Sequence, residues 1–226
     1  MTSQNNQQSH TDEYGEEREL RAAVNLNAKD KSAWFNLAYL LNKKNDIAGA
    51  EAAYKKALEI NPKYADAWNN LGLLLETHKK DIAGAEDAYK KALEIDPKLA
   101  KAWTNLGNLL VQYKNDIAGA EPAYKKALEI DPKDAMAWNN LGILLKNKKD
   151  FAGAEDAYNK ALEIYPEYAK AWFNLGLLLK DHKNDIVGAI IIFKKVLEFT
   201  PKDDPIWNNL GDFVMDRRKI FELVLK

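Results

Sequence analysis

The chain has 226 residues, with 33 Lys and Arg against 34 Asp and Glu, a net charge of −1, and no cysteine. This balance argues against a nucleic-acid or membrane-surface binder, either of which carries a basic excess. The lack of Cys removes disulfides, thiol nucleophiles and Cys-ligated metals, and no apolar run reaches the roughly 20 residues that span a bilayer.

Residues 1–11 are polar and rich in Gln and Asn, which predicts a disordered tail. The same segment lacks the basic and apolar regions of a signal peptide, so a soluble, cytoplasmic protein without membrane insertion is expected. A capping helix is predicted over 12–26. From there the chain repeats itself. All six tryptophans, at 34, 68, 103, 138, 172 and 207, stand 34 or 35 residues apart, and such a period marks a repeat array rather than a globular core. Helix pairs are predicted to start near 31, 65, 100, 135 and 169. A last Trp helix follows over 204–216 and a C-terminal cap over 217–226, the whole of 12–226 forming one array.

Within each pair the signals are local. Asp46, Asp81, Asp116, Asp150 and Asp185 stand where an N-cap belongs, ahead of the second helix. Pro62, Pro97, Pro132, Pro166 and Pro201 end that helix, because the residue before Pro is pushed out of the α region. Repeats at Trp68, Trp103 and Trp172 carry one extra residue, which the turn is expected to absorb. The second helix keeps small Ala columns (Ala50, Ala85, Ala120, Ala154, Ala189 and Ala57, Ala92, Ala127, Ala161) with Tyr54, Tyr89, Tyr124, Tyr158 and Phe193 between them, a face on which neighbouring helices approach closely. Pro122 falls inside a second helix and should bend it.

Trp-x-x-Leu-Gly followed by Ala, aromatic, Ala and Pro at this period resembles the tetratricopeptide repeat (TPR) family over roughly residues 12–226. The resemblance implies an all-α, right-handed superhelical solenoid of stacked antiparallel helix pairs, with the first helices lining a concave groove. The ends depart from the pattern: the opening helix has Glu16 where later repeats have a backward-facing Ala, and the last second helix reads Ile190-Ile191-Ile192. The closing residues, including Ile220, Phe221 and Val224, have two readings. They cover the last pair, as solenoid caps do, or they join Ile190–Ile192 in an exposed apolar patch for a partner or a second copy.

On a helical wheel, with positions counted from Trp, +3, +4 and +7 join Trp in the core stripe and +6 flanks them. Positions −2, +1, +2, +5, +8 and +9 fall opposite, on the face the resemblance places in the groove. Position +2 is Asn in every repeat: Asn36, Asn70, Asn105, Asn140, Asn174 and Asn209. Around it stand apolar residues, among them Leu73, Ile143 and Leu177, and the lysines Lys101, Lys146, Lys170 and Lys180. An Asn amide carries donors and an acceptor and pairs with the N–H and C=O of a peptide backbone, so a row of them can hold an extended segment. The column resembles the asparagine ladder of the TPR superhelix of O-GlcNAc transferase. The alternative is that these amides bond only to adjacent helices. Asn69 and Asn139 (with Asn208), one residue after Trp, are expected to widen the amide surface.

Three functions compete. The first is a non-catalytic scaffold that binds a protein or extended peptide in the groove, with no cofactor or metal. The second is an assembly protein that homodimerises through its apolar C-terminal end. The third is a targeting domain of a larger complex. The TPR clamp for C-terminal carboxylates wants Lys at +1, where this chain has Phe, Asn or Thr. His10, His78 and His182 fall far apart along the chain and form no catalytic set. The recurring Glu and Lys pairs of the outer faces are read as solubilising.

Overall fold

The structure is a computed structural model describing residues 15–201 and 210. The tail at 1–11, the start of the capping helix, the last Trp helix and the C-terminal cap lie outside the described residues, and with them Asn208, Asn209, Ile220, Phe221 and Val224. The chain divides into two compact units, residues 1–130 and 131–226. Every element among the described residues is helical.

The first unit opens with α1 over residues 15–26. Three hairpins follow: α2 (Lys31–Lys43) with α3 (Ile47–Ile60), α4 (Ala65–Leu74) with α5 (Ile82–Ile95), and α6 (Ala100–Lys114) with α7 (Ile117–Ile130). A π-helical turn, Leu75–Lys79, prolongs α4. First helices also touch the next first helix, α2 on α4 and α4 on α6. The second unit holds α8 (Ala135–Asn147) with α9 (Phe151–Ile164), and α10 (Ala169–His182) with α11 (Ile186–Phe199).

Each hairpin turns in the same way. The Asp before the second helix donates its backbone N–H to the carbonyl of position +7: Asp46 to Leu41, Asp81 to Leu75, Asp116 to Leu110, Asp150 to Leu145 and Asp185 to Leu179, at 2.8–3.0 Å. The preceding residue is left-handed, at φ 50–65°, in Asn45, Lys80, Asn115, Lys149 and Asn184. Closure on one carbonyl leaves the extra residue of three repeats upstream of that residue. It becomes the π-helical turn after α4, and it lengthens α6 and α10 to 15 and 14 residues against 13 in α2 and α8. The helix end therefore absorbs the insertion that the sequence assigned to the turn. The Asp side chains then cap the second helices, accepting from the backbone N–H of Gly49, Gly84, Gly119, Gly153 and Gly188 at 2.8–3.0 Å. A Cβ on Gly84 would stand 2.4 Å from Asp81 Oδ2, so the cap and the glycine belong together.

The core also refines the wheel. Position +6, placed at the flank, is the most deeply buried, with Leu74, Leu109, Leu144 and Leu178 at 0% exposure, and the Ala at −1 is buried throughout. The five described tryptophans are half-buried. Each donates its indole N–H to the carbonyl six residues earlier, Pro62 for Trp68, Pro97 for Trp103, Pro132 for Trp138 and Pro166 for Trp172, at 2.7–2.9 Å. Trp34 uses Ala28 at 3.0 Å. The Trp and Pro columns are thus one device that ties each first helix to the turn before it. Rings of the second helix fill the space left at +4: a Cβ on Gly72 would meet Tyr89 Cε1 at 2.8 Å, and one on Gly176 would meet Phe193 at 2.5 Å. Pro122 lies on the exposed face of α7, which runs unbroken through it. The N–H it lacks would have bonded Ala118, also exposed, where water serves that carbonyl.

Candidate functional site

The Asn column is built differently from a row of free amides. Asn69 and Asn139, expected on the open face, are 5% and 3% exposed. Each reaches its own +2 neighbour, Asn69 Nδ2 to Asn70 Oδ1 at 3.2 Å and Asn139 Nδ2 to Asn140 Oδ1 at 3.3 Å. Each also accepts from the +2 Asn of the next repeat, Asn105 Nδ2 to Asn69 Oδ1 at 3.0 Å and Asn174 Nδ2 to Asn139 Oδ1 at 2.9 Å. The +1 asparagines do not widen the amide surface; they bracket it. The wheel misplaced them because it knows only its own helix, whereas position +1 is covered by the first helix of the following repeat.

This leaves chemistry at the surface. Asn105 and Asn174 are half-buried, each held through one N–H, with the second N–H and Oδ1 unused among the described residues. Asn36 is exposed, while Asn70 and Asn140 are half-buried. The apolar positions nearby are graded. Leu73 is 39% exposed, and Ile143 and Leu177 lie half-buried against their unit's core. Lys101 and Lys170 are exposed, and Lys146 and Lys180 are half-buried, with Lys180 paired to Asp181 at 3.0 Å.

The Tyr column does more than fill space, because two of its hydroxyls bond side chains of the first helices. Tyr124 donates to Asn108 Oδ1 at +5 at 2.8 Å, and Tyr89 donates to Glu76 Oε2 at +8 at 2.7 Å. The Tyr158 hydroxyl has no partner, since its own repeat offers Ile143 at +5 and Lys146 at +8. Burial pushes the Tyr54 hydroxyl up to about 12 and raises Tyr89, Tyr124 and Tyr158 further. Burial also raises the Glu76 carboxyl.

The outer faces carry ties between repeats as well as solubility. Glu51 pairs with Lys55 at 2.7 Å and with Lys79 of the next repeat at 2.8 Å. Glu86 pairs with Lys90 at 2.8 Å and Lys114 at 2.6 Å. Glu17 with Lys44, and Glu155 with Lys183, repeat the pattern. At the other end the isoleucine triplet splits. Ile190 is 6% exposed and Ile192 packs on the core of α9 and α10, so only Ile191, 57% exposed, is open, beside Val187 on the same helix face. His182 stacks on Phe151 at 4.0 Å, and His78 is exposed. No helix among the described residues is long and apolar enough to cross a membrane.

Two family models described as tetratricopeptide repeat match the chain, one over residues 17–65, 43–100 and 105–169, the other over 88–120 and 157–190. No curated protein matches it. Among solved structures it is similar to YrrB, described as a TPR protein with an unusual peptide-binding site, at 26% identity and a TM-score of 0.62 over 81% of this chain and 93% of that one. It is also similar to MamA 41-end from Desulfovibrio magneticus RS-1, at 23% identity and a TM-score of 0.65 over 77% and 98%. The pilF protein of Pseudomonas aeruginosa matches at 23% identity and a TM-score of 0.71 over 78% and 80%.

Proposed function

The chain belongs to the tetratricopeptide repeat family, and from that membership we propose that it is a non-catalytic, cytoplasmic interaction scaffold whose Asn column holds an extended peptide segment. The observation that carries the reading is the state of Asn105 and Asn174. Each amide is fixed by a bond to a buried Asn of the repeat before it, and each keeps one N–H and its oxygen for a ligand. That donor–acceptor pair is the complement of one peptide unit. Because the amide is already oriented, little side-chain freedom is lost when it binds, and such pre-organisation lowers the cost of association. Leu73 beside the asparagines of the first unit, and Ile143 and Leu177 beside those of the second, offer apolar contact for side chains of a segment held on their own unit. YrrB, similar in fold, is itself described as having a peptide-binding site, which agrees with this reading. Homodimerisation through α11 is the weaker one, because a single open isoleucine beside Val187 is a small surface.

The test compares Asn36→Ala, Asn105→Ala and Asn174→Ala, alone and combined, against a peptide selected on the wild-type protein from a random displayed library. Asn36→Ala should leave the melting temperature unchanged. Asn105→Ala and Asn174→Ala leave the buried oxygens of Asn69 and Asn139 unpaired and should each lower stability by about 1 kcal/mol. The combined variant should bind about tenfold or more weakly. Full-strength binding alongside lowered stability would make the column structural and sink the proposal.

A further inference from the structure

Glu76 is the ionisable group of the first unit whose surroundings fit a core position least. It lies in the π-helical turn Leu75–Lys79 and is 7% exposed. Its partner is the uncharged hydroxyl of Tyr89 at 2.7 Å. Glu51 and Glu86 each hold two lysines, but no cation among the described residues pairs with Glu76. Lys80 is near enough to favour its charged form, yet burial outweighs it and the carboxyl is raised. A carboxylate removed from water with a single neutral donor is under-compensated. A second unmet acceptor occupies the same column one repeat earlier. Asn42, at +8 on the adjacent helix α2, has a buried Oδ1 with no partner. Position +8 in the described later repeats is Val111, Lys146 and Lys180, so this pairing of needy acceptors belongs to α2 and α4.

The geometry points to a cation-accepting subsite, in which Glu76 and Asn42 receive the ammonium or guanidinium of a Lys or Arg side chain from the segment held by the Asn column. The assignment rests on the peptide-binding reading above. A basic side chain brings the charge that Glu76 lacks and has N–H groups to spare for a second acceptor. Tyr89 fixes the carboxylate through Oε2 and leaves Oε1 for the ligand. Among the described +8 residues Glu76, in the π-helical turn, is buried, whereas Asn42, Val111, Lys146 and Lys180 are half-exposed. Insertions of this kind inside helices often mark functional positions.

A random dodecapeptide display library selected on the full chain, and in parallel on Glu76→Gln, tests this. The wild type should yield peptides with Lys or Arg at one fixed position. Replacing that residue with norleucine in a synthetic representative should weaken binding about tenfold or more. Glu76→Gln should weaken the basic peptide by a similar factor and make the norleucine exchange nearly neutral. Its melting temperature at pH 7 should not fall, which separates lost recognition from lost folding. Peptides without a positional basic preference, or a preference that survives Glu76→Gln, would overturn the subsite and leave the Asn column standing. A selection that returns no peptide would overturn the groove reading and the subsite together.

Discussion

Tyr89, Tyr124 and Tyr158 stand at one position of three second helices, each with its ring against the glycine of the facing first helix. They differ in what the hydroxyl meets. Tyr89 and Tyr124 find Glu76 and Asn108, and Tyr158 finds no partner among the described residues. A buried hydroxyl without a partner costs about 1–3 kcal/mol relative to water, and the fifth repeat already uses Phe193 at this position with the same approach to its glycine, 2.5 Å from the would-be Cβ of Gly176 as for Tyr158 and Gly142. Tyr158→Phe should therefore raise stability by about 1 kcal/mol in urea melts with the slope unchanged. Tyr89→Phe, which strips Glu76 of its donor, should lower it. Equal losses from both would mean that the Tyr158 hydroxyl is satisfied. These partners were hidden in the sequence because they join different helices: the Tyr column is legible as packing, but whether its hydroxyl meets Asn, Glu or Ile depends on registers no single helix reveals. The same limit put Asn69 and Asn139 on the open face, although both are buried; in the +2 column Asn36 is exposed and Asn70, Asn105, Asn140 and Asn174 are half-buried.

At the scale of the element, the helices were legible because their signals are local. An Asp cap needs only its own next three residues, and a Pro acts on its own neighbour. The form taken by the extra residue was not, since a π-helical turn and a longer α-helix both reach the same +7 carbonyl. What all five turns share is a left-handed residue before Asp, and here the sequence is uneven: Asn fills it three times, Lys at 80 and 149. Asn tolerates this region far better than a long side chain. Lys149 is exposed, with φ of 65°, so Lys149→Asn should stabilise the α8–α9 hairpin by about 0.5 kcal/mol, and Lys149→Gly by up to about 1 kcal/mol. Thermal melts of both variants beside Asn115→Ala, which should be destabilised, give the comparison. A fall in melting temperature for Lys149→Asn would mean that the lysine has a role beyond its backbone shape.

Over the whole molecule the near-zero net charge conceals a directed arrangement of ion pairs. Within the first unit Glu17, Glu51 and Glu86 each accept from a cation on their own helix and from one in the turn of the next repeat. Those bonds hold the three carboxyls below the ordinary value of 4.5. A carboxyl with a lowered folded pKa stabilises fully above its unfolded pKa, and the contribution is lost as pH falls through the folded value. Glu76, raised by burial, acts in reverse: its contribution is present below 4.5 and lost as pH rises through its folded value. Three lowered groups against one raised give a net loss of stability as pH drops below 4.5 through the lowered folded values. Partly exposed carboxylates of this kind contribute about 0.5 kcal/mol each, so Glu51→Gln with Glu86→Gln should lower stability by about 1 kcal/mol at pH 7 in low salt. The gap from wild type should narrow in 1 M salt, where screening acts within about 3 Å, and should also narrow as pH falls below 4.5 through the folded values, where wild type loses the same charges. A gap that stays constant across pH and salt would assign the effect to packing of the side-chain stems. Because each pair spans two repeats, it also sets how one first helix follows the next, and hence the spacing of Asn36, Asn70 and Asn105. Loss of peptide binding in the double Gln variant, in proportion to its loss of stability, would make the outer charges part of the geometry of the inner face.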